Sequence, residues 1–142
     1  MHYKSLFFIL CLIGSLSLLF SNCQPQADVL KAQYITNGQK LYNTHCKNCH
    51  GDDGMGLGKL YPPLNDQKFY EDHTEKLACY IKYGIDTPLI IHGVEYTTKM
   101  PANPTLTNID IAYLITYVTT QFGESDSLIT QEDVIKQLEI CR

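Results

Sequence analysis

Cys46-Lys47-Asn48-Cys49-His50 sets two thiols at i and i+3 and an imidazole directly after the second. In a turn of helix, positions i and i+3 lie on one side, so both sulfurs address the same partner and the histidine stands beside them. C-x-x-C-H is the spacing by which a haem is attached covalently. The thiols can reach the two vinyl groups on one porphyrin edge as thioethers, and the imidazole comes under the macrocycle close enough to bind iron. A redox dithiol or half a zinc site is the other use of such a pattern. No second C-x-x-C follows, and structural zinc takes four ligands.

The N-terminus bears on where such chemistry takes place. Residues 1–4 make a short basic start, and 6–20 are apolar apart from Gly14, Ser15 and Ser17. That run is shorter than the roughly 20 residues a membrane span needs and has the layout of a secretory signal. It ends Leu18-Leu19-Phe20-Ser21-Asn22-Cys23, which resembles a bacterial lipoprotein cleavage box, although Phe20 and Asn22 depart from its commonest form. The expectation is a signal over 1–22 and a lipid on Cys23. An ordinary signal cut elsewhere, or an uncleaved anchor, are the alternatives. Each version exports the chain to the periplasmic side, and the first tethers it to a membrane.

Six cysteines are present. Cys11 leaves with the signal, Cys23 takes the lipid, and Cys46 and Cys49 take the haem. Cys79 and Cys141 remain, and in an oxidising compartment such a pair is a disulfide candidate; two buried free thiols are the alternative.

Without residues 1–22 the chain keeps 120 residues, enough for one domain with one core. Loss of Lys4 leaves 10 basic and 15 acidic residues, a net charge of −5. No basic stripe offers itself to nucleic acid. Residues 23–32 read as a tether, 33–122 as the domain and 123–142 as a tail. Helices are expected over 36–47, 72–83 and about 107–122, with loops at 51–58, 60–66 (Pro62-Pro63 bars regular helix) and 86–104. Gly84 and Gly123 stop the second and third helices. Thr107 with Asp110 and Thr130 with Asp133 have capping-box spacing, and Val134, Leu138 and Cys141 share a face of a last short helix. There are no internal repeats.

Over about 38–122 the chain resembles the class I mono-haem cytochromes c. Gly38 and Tyr42 stand where that family has a glycine and an aromatic ahead of the motif. Residues 54–64 are similar to its proximal-face loop, and 110–118 to its C-terminal helix. The resemblance implies an all-α cytochrome c fold, with four to five helices around one haem c attached through Cys46 and Cys49. It makes His50 one axial ligand, with Pro62 (Pro63 in reserve) accepting the Nδ1–H of His50 by its carbonyl. Met100, before Pro101, becomes the other axial ligand. A thioether suits ferrous haem and raises its potential. Tyr96 falls where the family has an aromatic near the haem.

Met55 lies too close to His50 in sequence to reach the opposite haem face. His45 is expected at the surface and His73 at the start of a helix. His92, eight residues before Met100, is the remaining candidate ligand or propionate partner, though a loop histidine beside a turn at Gly93 is the simpler reading. The implied role is one-electron transfer without a reaction of its own. Fragments 80–84 and 93–101 are similar to bacterial cytochromes serving respiratory complexes, terminal oxidases and dehydrogenases. Partners are then a redox donor and acceptor, met through a small transient contact at the haem edge. A haem subunit fixed in a larger membrane complex, and more distantly a gas-binding or catalytic haem with an open iron site, are the alternatives.

Overall fold

A computed structural model describes residues 3–4 and 26–141. The expected signal, Cys11 and the expected lipid site at Cys23 lie outside the described residues. The chain divides into two compact units, 1–30 and 31–142. In the first, the described residues 3–4 and 26–30 are helical. The other described elements belong to the second, which the first helix enters at Lys31.

Helix α1 is Gln26–His45. It begins earlier than the expected 36–47 and takes in most of the segment read as a tether. Ala27, Leu30, Lys31 and Ala32 are strong helix formers with no breaker among them, and Asp28 in the first turn suits the positive end of the helix dipole. Further on, Tyr34, Gly38 and Tyr42 recur at four-residue spacing on one face, with Gly38 and Tyr42 buried. After Cys46, the one-turn helix α2 (Lys47–His50) ends at Gly51, whose amide donates to the Lys47 carbonyl at 2.8 Å.

The expected helix over 72–83 is two helices and a bend. Helix α3 is Gln67–His73, capped by Asp66, whose carboxylate accepts the Phe69 amide at 3.1 Å. A single 3-10 turn, Thr74–Lys76, leads to helix α4, Leu77–Tyr83. At the break the Thr74 hydroxyl donates to the Tyr70 carbonyl at 2.6 Å, a local bond that competes with the helical ladder. His73 thus closes a helix instead of opening one.

The stretch expected as loop at 86–104 contains a hairpin, β1 (Leu89–Ile91) paired antiparallel with β2 (Val94–Tyr96), Ile90 opposite Glu95. His92 and Gly93 form its two-residue turn, both at positive φ (49° and 75°), which matches the twist of paired strands.

Helix α5 is Asn108–Gln121 and helix α6 Gln131–Glu139. Both open with complete capping boxes, Thr107 with Asp110 and Thr130 with Asp133. Ile111, Leu114 and Ile115 of α5 are fully buried, each worth about 1.5–3 kcal/mol of transfer free energy. α1 crosses α5 at Gly38, where a Cβ would overlap the Tyr113 carbonyl and the Tyr117 Cβ. Beside that crossing Tyr42 packs on Tyr117 and on Phe122, with ring centroids 5.4 Å apart in both pairs. The fold is mostly helical, the hairpin being its one sheet among the described residues.

After α5 the chain doubles back. The Ile129 amide donates to the Thr116 hydroxyl oxygen at 3.0 Å, and Lys31 forms an ion pair with Asp126. α6 then buries Val134 and Gln137 against the body. Cys141 closes a disulfide with Cys79, Cα atoms 5.7 Å apart.

Candidate haem-binding site

Three cavities meet at His50 and Ile85, with about 440, 580 and 380 Å³ of empty space, open solvent at their mouths included. The largest is lined by Tyr42, Cys46, Leu64, Leu77, Ile81, Leu114 and other apolar groups; the next carries Cys49, Tyr61, Thr87, Tyr96 and Lys99. Both reach Met100. One imidazole and one thioether therefore border both cavities, with Cys46 on one and Cys49 on the other. Two cysteines followed by an imidazole are what covalent attachment of a haem uses, and a thioether is one of the axial partners that haem iron takes, so the residues present fit the group.

His50 is held from outside this space. Its Nδ1 lies 3.0 Å from the Pro62 carbonyl oxygen. A carbonyl only accepts, so Nδ1 carries the proton and Nε2 keeps its lone pair. Such a bond fixes the tautomer and makes the ring a better metal ligand. Burial lowers the pKa of His50, and the bond to Pro62 pushes the other way; the neutral ring is the form that binds metal.

The loop after His50 is clamped at both ends. The Gly56 amide donates to the His50 carbonyl at 2.9 Å and the Leu64 amide to the Gly54 carbonyl at 2.7 Å. Tyr42 of α1 donates its hydroxyl to Gly51 at 2.6 Å, and Tyr70 of α3 donates to Leu64 at 2.8 Å. Burial raises the pKa of both tyrosines, so they stay protonated donors.

Redox C-x-x-C pairs depress a thiol pKa. Here burial first, and Cys49 second, push the Cys46 thiol up to about 11. Cys79 is in the disulfide with Cys141, so among the described cysteines only Cys46 and Cys49 are free to form thioethers. No group of three or more His, Cys, Asp or Glu side chains suited to a metal ion occurs among the described residues.

Met100 is placed by backbone. Its amide donates to the Ile85 carbonyl at 2.9 Å and its carbonyl accepts the Ile85 amide at 3.0 Å. Ile85 follows Gly84, which ends α4 at φ +78°. The other candidates lie elsewhere. Met55 is 53 % exposed, its sulfur 3.6 Å from Asn65 Nδ2. His45 is exposed. His73 stacks on Phe69 at 4.4 Å between ring centroids. His92 donates its amide to Asp66 at 2.8 Å and sets Nε2 3.0 Å from the Asn65 side-chain oxygen, lining none of the three cavities. Tyr96 is buried along the second cavity and donates its hydroxyl to Gly58 at 3.2 Å.

Sequence reasoning missed Ile85 and the rim residues Thr87 and Lys99. Gly84, read only as a helix stop, was the available signal for Ile85, because a glycine at positive φ there turns the chain onto Met100.

Residues 33–118 match the family described as cytochrome c oxidase, cbb3-type, subunit III. Cytochrome c-552 of Thermus thermophilus is 26 % identical over 109 residues, covering 70 % of this chain and 82 % of that protein. The fructose dehydrogenase cytochrome subunit of Gluconobacter japonicus is 28 % identical over 107 residues, 72 % of this chain and 22 % of that protein.

Proposed function

Because the chain belongs to the cytochrome c family described as cytochrome c oxidase, cbb3-type, subunit III, a family whose haem c is covalently bound, we propose that it is a one-electron carrier with the iron held between His50 and Met100. Haem c bound here supplies a ferric/ferrous couple. The protein's part is to hold and insulate it. Cys46 and Cys49 hold the edge, and His50 presents Nε2 while Pro62 keeps its proton on Nδ1. Met100 presents its sulfur from a strand-like bridge to Ile85. The apolar wall from α4 and α5 excludes water, which favours the less charged ferrous state and raises the potential.

The observation that carries this reading is the shared border of His50 and Met100 on two adjoining cavities. The chain then acts at the periplasmic side as a carrier in a respiratory chain, tethered through a lipid on Cys23, and passes electrons between protein partners without catalysing a reaction itself. Fixed residence in a larger redox complex is the second reading, favoured by the similarity to a dehydrogenase cytochrome subunit.

A redox titration with two methionine variants tests the ligand set. Met100→Ala is expected to lower the potential and abolish the methionine-to-iron charge-transfer band, while Met55→Leu leaves both unchanged. An unaltered band in Met100→Ala would overturn the assignment. Stable co-purification with a membrane dehydrogenase or oxidase would favour the second reading.

A further inference from the structure

The segment after Gly123 lies beyond the family match, which ends at residue 118. It adds an amphipathic helix, a disulfide and one buried polar side chain, and all three converge on the start of α4. Gln137 is 6 % exposed, and its side-chain oxygen accepts the amide of fully buried Ala78 at 2.9 Å. That amide is among those left without an intrahelical partner at a helix start, and Lys76, the residue before α4, makes no side-chain cap. Gln137 caps α4 from 59 residues away. The next residue, Cys79, is bonded to Cys141, and both sulfurs lie within 3.4 Å of the Gln137 backbone carbonyl. A disulfide has no proton to donate, so this is packing that fixes the α6 end against α4.

The far end of α4 governs Met100. The Asn103 amide is shared between the Ile81 and Lys82 carbonyls at 3.3 Å each. Lys82 Nζ donates to the Pro104 and Leu106 carbonyls at 3.0 and 2.6 Å. Ile85, following Gly84, then bridges to Met100. Between the ends, Leu77, Tyr80 and Ile81 line the largest of the three cavities at His50. α4 is thus a two-turn rod pinned at its start by the C-terminal segment and carrying the Met100 loop at its end.

We infer that Gln137 and the Cys79–Cys141 disulfide are positioning residues for the haem iron, holding α4 so that Met100 stays on the metal and water stays out. This rests on the His50/Met100 reading. Gln137→Leu keeps the disulfide and the volume but leaves the Ala78 amide unpaired. The double variant C79A/C141A removes the covalent staple. In each, with helix content by circular dichroism retained, the methionine-to-iron band is expected to weaken, the reduction potential to fall, and carbon monoxide to shift the ferrous spectrum as it does not in the wild type.

If both variants melt at lower temperature yet keep the band, the potential and the resistance to carbon monoxide, the staple is structural only and the inference is overturned. Should C79A/C141A fail to fold, Gln137→Leu decides alone. A wild-type protein without the band removes the Met100 premise and overturns the inference with it. Wild type with the band and variants indistinguishable from it overturn the inference and leave the ligand assignment standing.

Discussion

Ile85 and Met100 exchange both backbone hydrogen bonds, at 3.0 and 2.9 Å, across an isolated bridge between otherwise irregular segments. A methionine in a free loop would wander, and this pairing removes that freedom, so Met100 would be held in place for the iron of a bound haem. It also transfers control of Met100 to the residue that turns the chain into the bridge. Gly84 stands at φ +78°, and a Cβ on it would overlap the Met100 carbonyl.

Gly84→Ala is therefore expected to cost at least the ~1–3 kcal/mol of a residue forced into the extended positive-φ region that glycine alone adopts readily (φ +78°, ψ −175°), since the bridge must also shift. Thermal or denaturant unfolding of the haem-loaded protein measures the cost. The same variant should show a weaker methionine-to-iron band. A variant as stable as the parent, with an intact band, would show that the bridge does not hold Met100.

Gly38 makes a different demand, for space and not for backbone conformation. Gly38→Ala puts a methyl into the α1–α5 crossing against Tyr113 and Tyr117. Overpacking of this kind costs about 1–3 kcal/mol. The loss is expected in the unfolding midpoint, with the haem spectrum unchanged, because the crossing is formed by residues that do not line the three cavities.

Asp66 links the pH dependence of stability to two loops. It accepts the His92 amide at the hairpin turn and caps α3 through Phe69. The His92 amide bond is the main reason its carboxyl titrates below the usual range, with the Phe69 bond adding to it. A depressed folded pKa means the stabilisation is present above the ordinary aspartate value of about 3.9 and is lost as pH falls through the lower folded value. Asp66→Ala should cost about 1 kcal/mol near neutral pH, as lost caps do, and should flatten the acid limb of a stability-against-pH curve. An acid limb of unchanged steepness in the variant would place the titration elsewhere.

Local chemistry is what a sequence displays openly, and the parts of the fold that rest on it could be read from the residues. The caps at Thr107 and Thr130 satisfy amides within four residues of themselves, and the i, i+3 thiols of residues 46–50 need only one turn of helix. The hairpin was legible in principle, since His92-Gly93 between Leu89-Ile90-Ile91 and Val94-Glu95-Tyr96 is a two-residue turn between β-prone runs; its brevity disguised it as loop. The break at Thr74 has no glycine or proline to announce it. Gln137 could not be found at all by local reasoning, because its partner at Ala78 is distant in sequence and a glutamine on a short amphipathic helix reads as surface. Long-range polar pairs of this kind carry no periodicity.

The proposal that His50 and Met100 would together hold the iron of a bound haem c is tested most directly by optical spectra of the haem-loaded wild-type protein. They are recorded in the ferric and ferrous states, with and without carbon monoxide. Low-spin spectra in both states, a ferric methionine-to-iron charge-transfer band and no shift on adding carbon monoxide are expected. A high-spin spectrum, or ready binding of carbon monoxide by the ferrous protein, would contradict the proposal and direct attention to an open iron site.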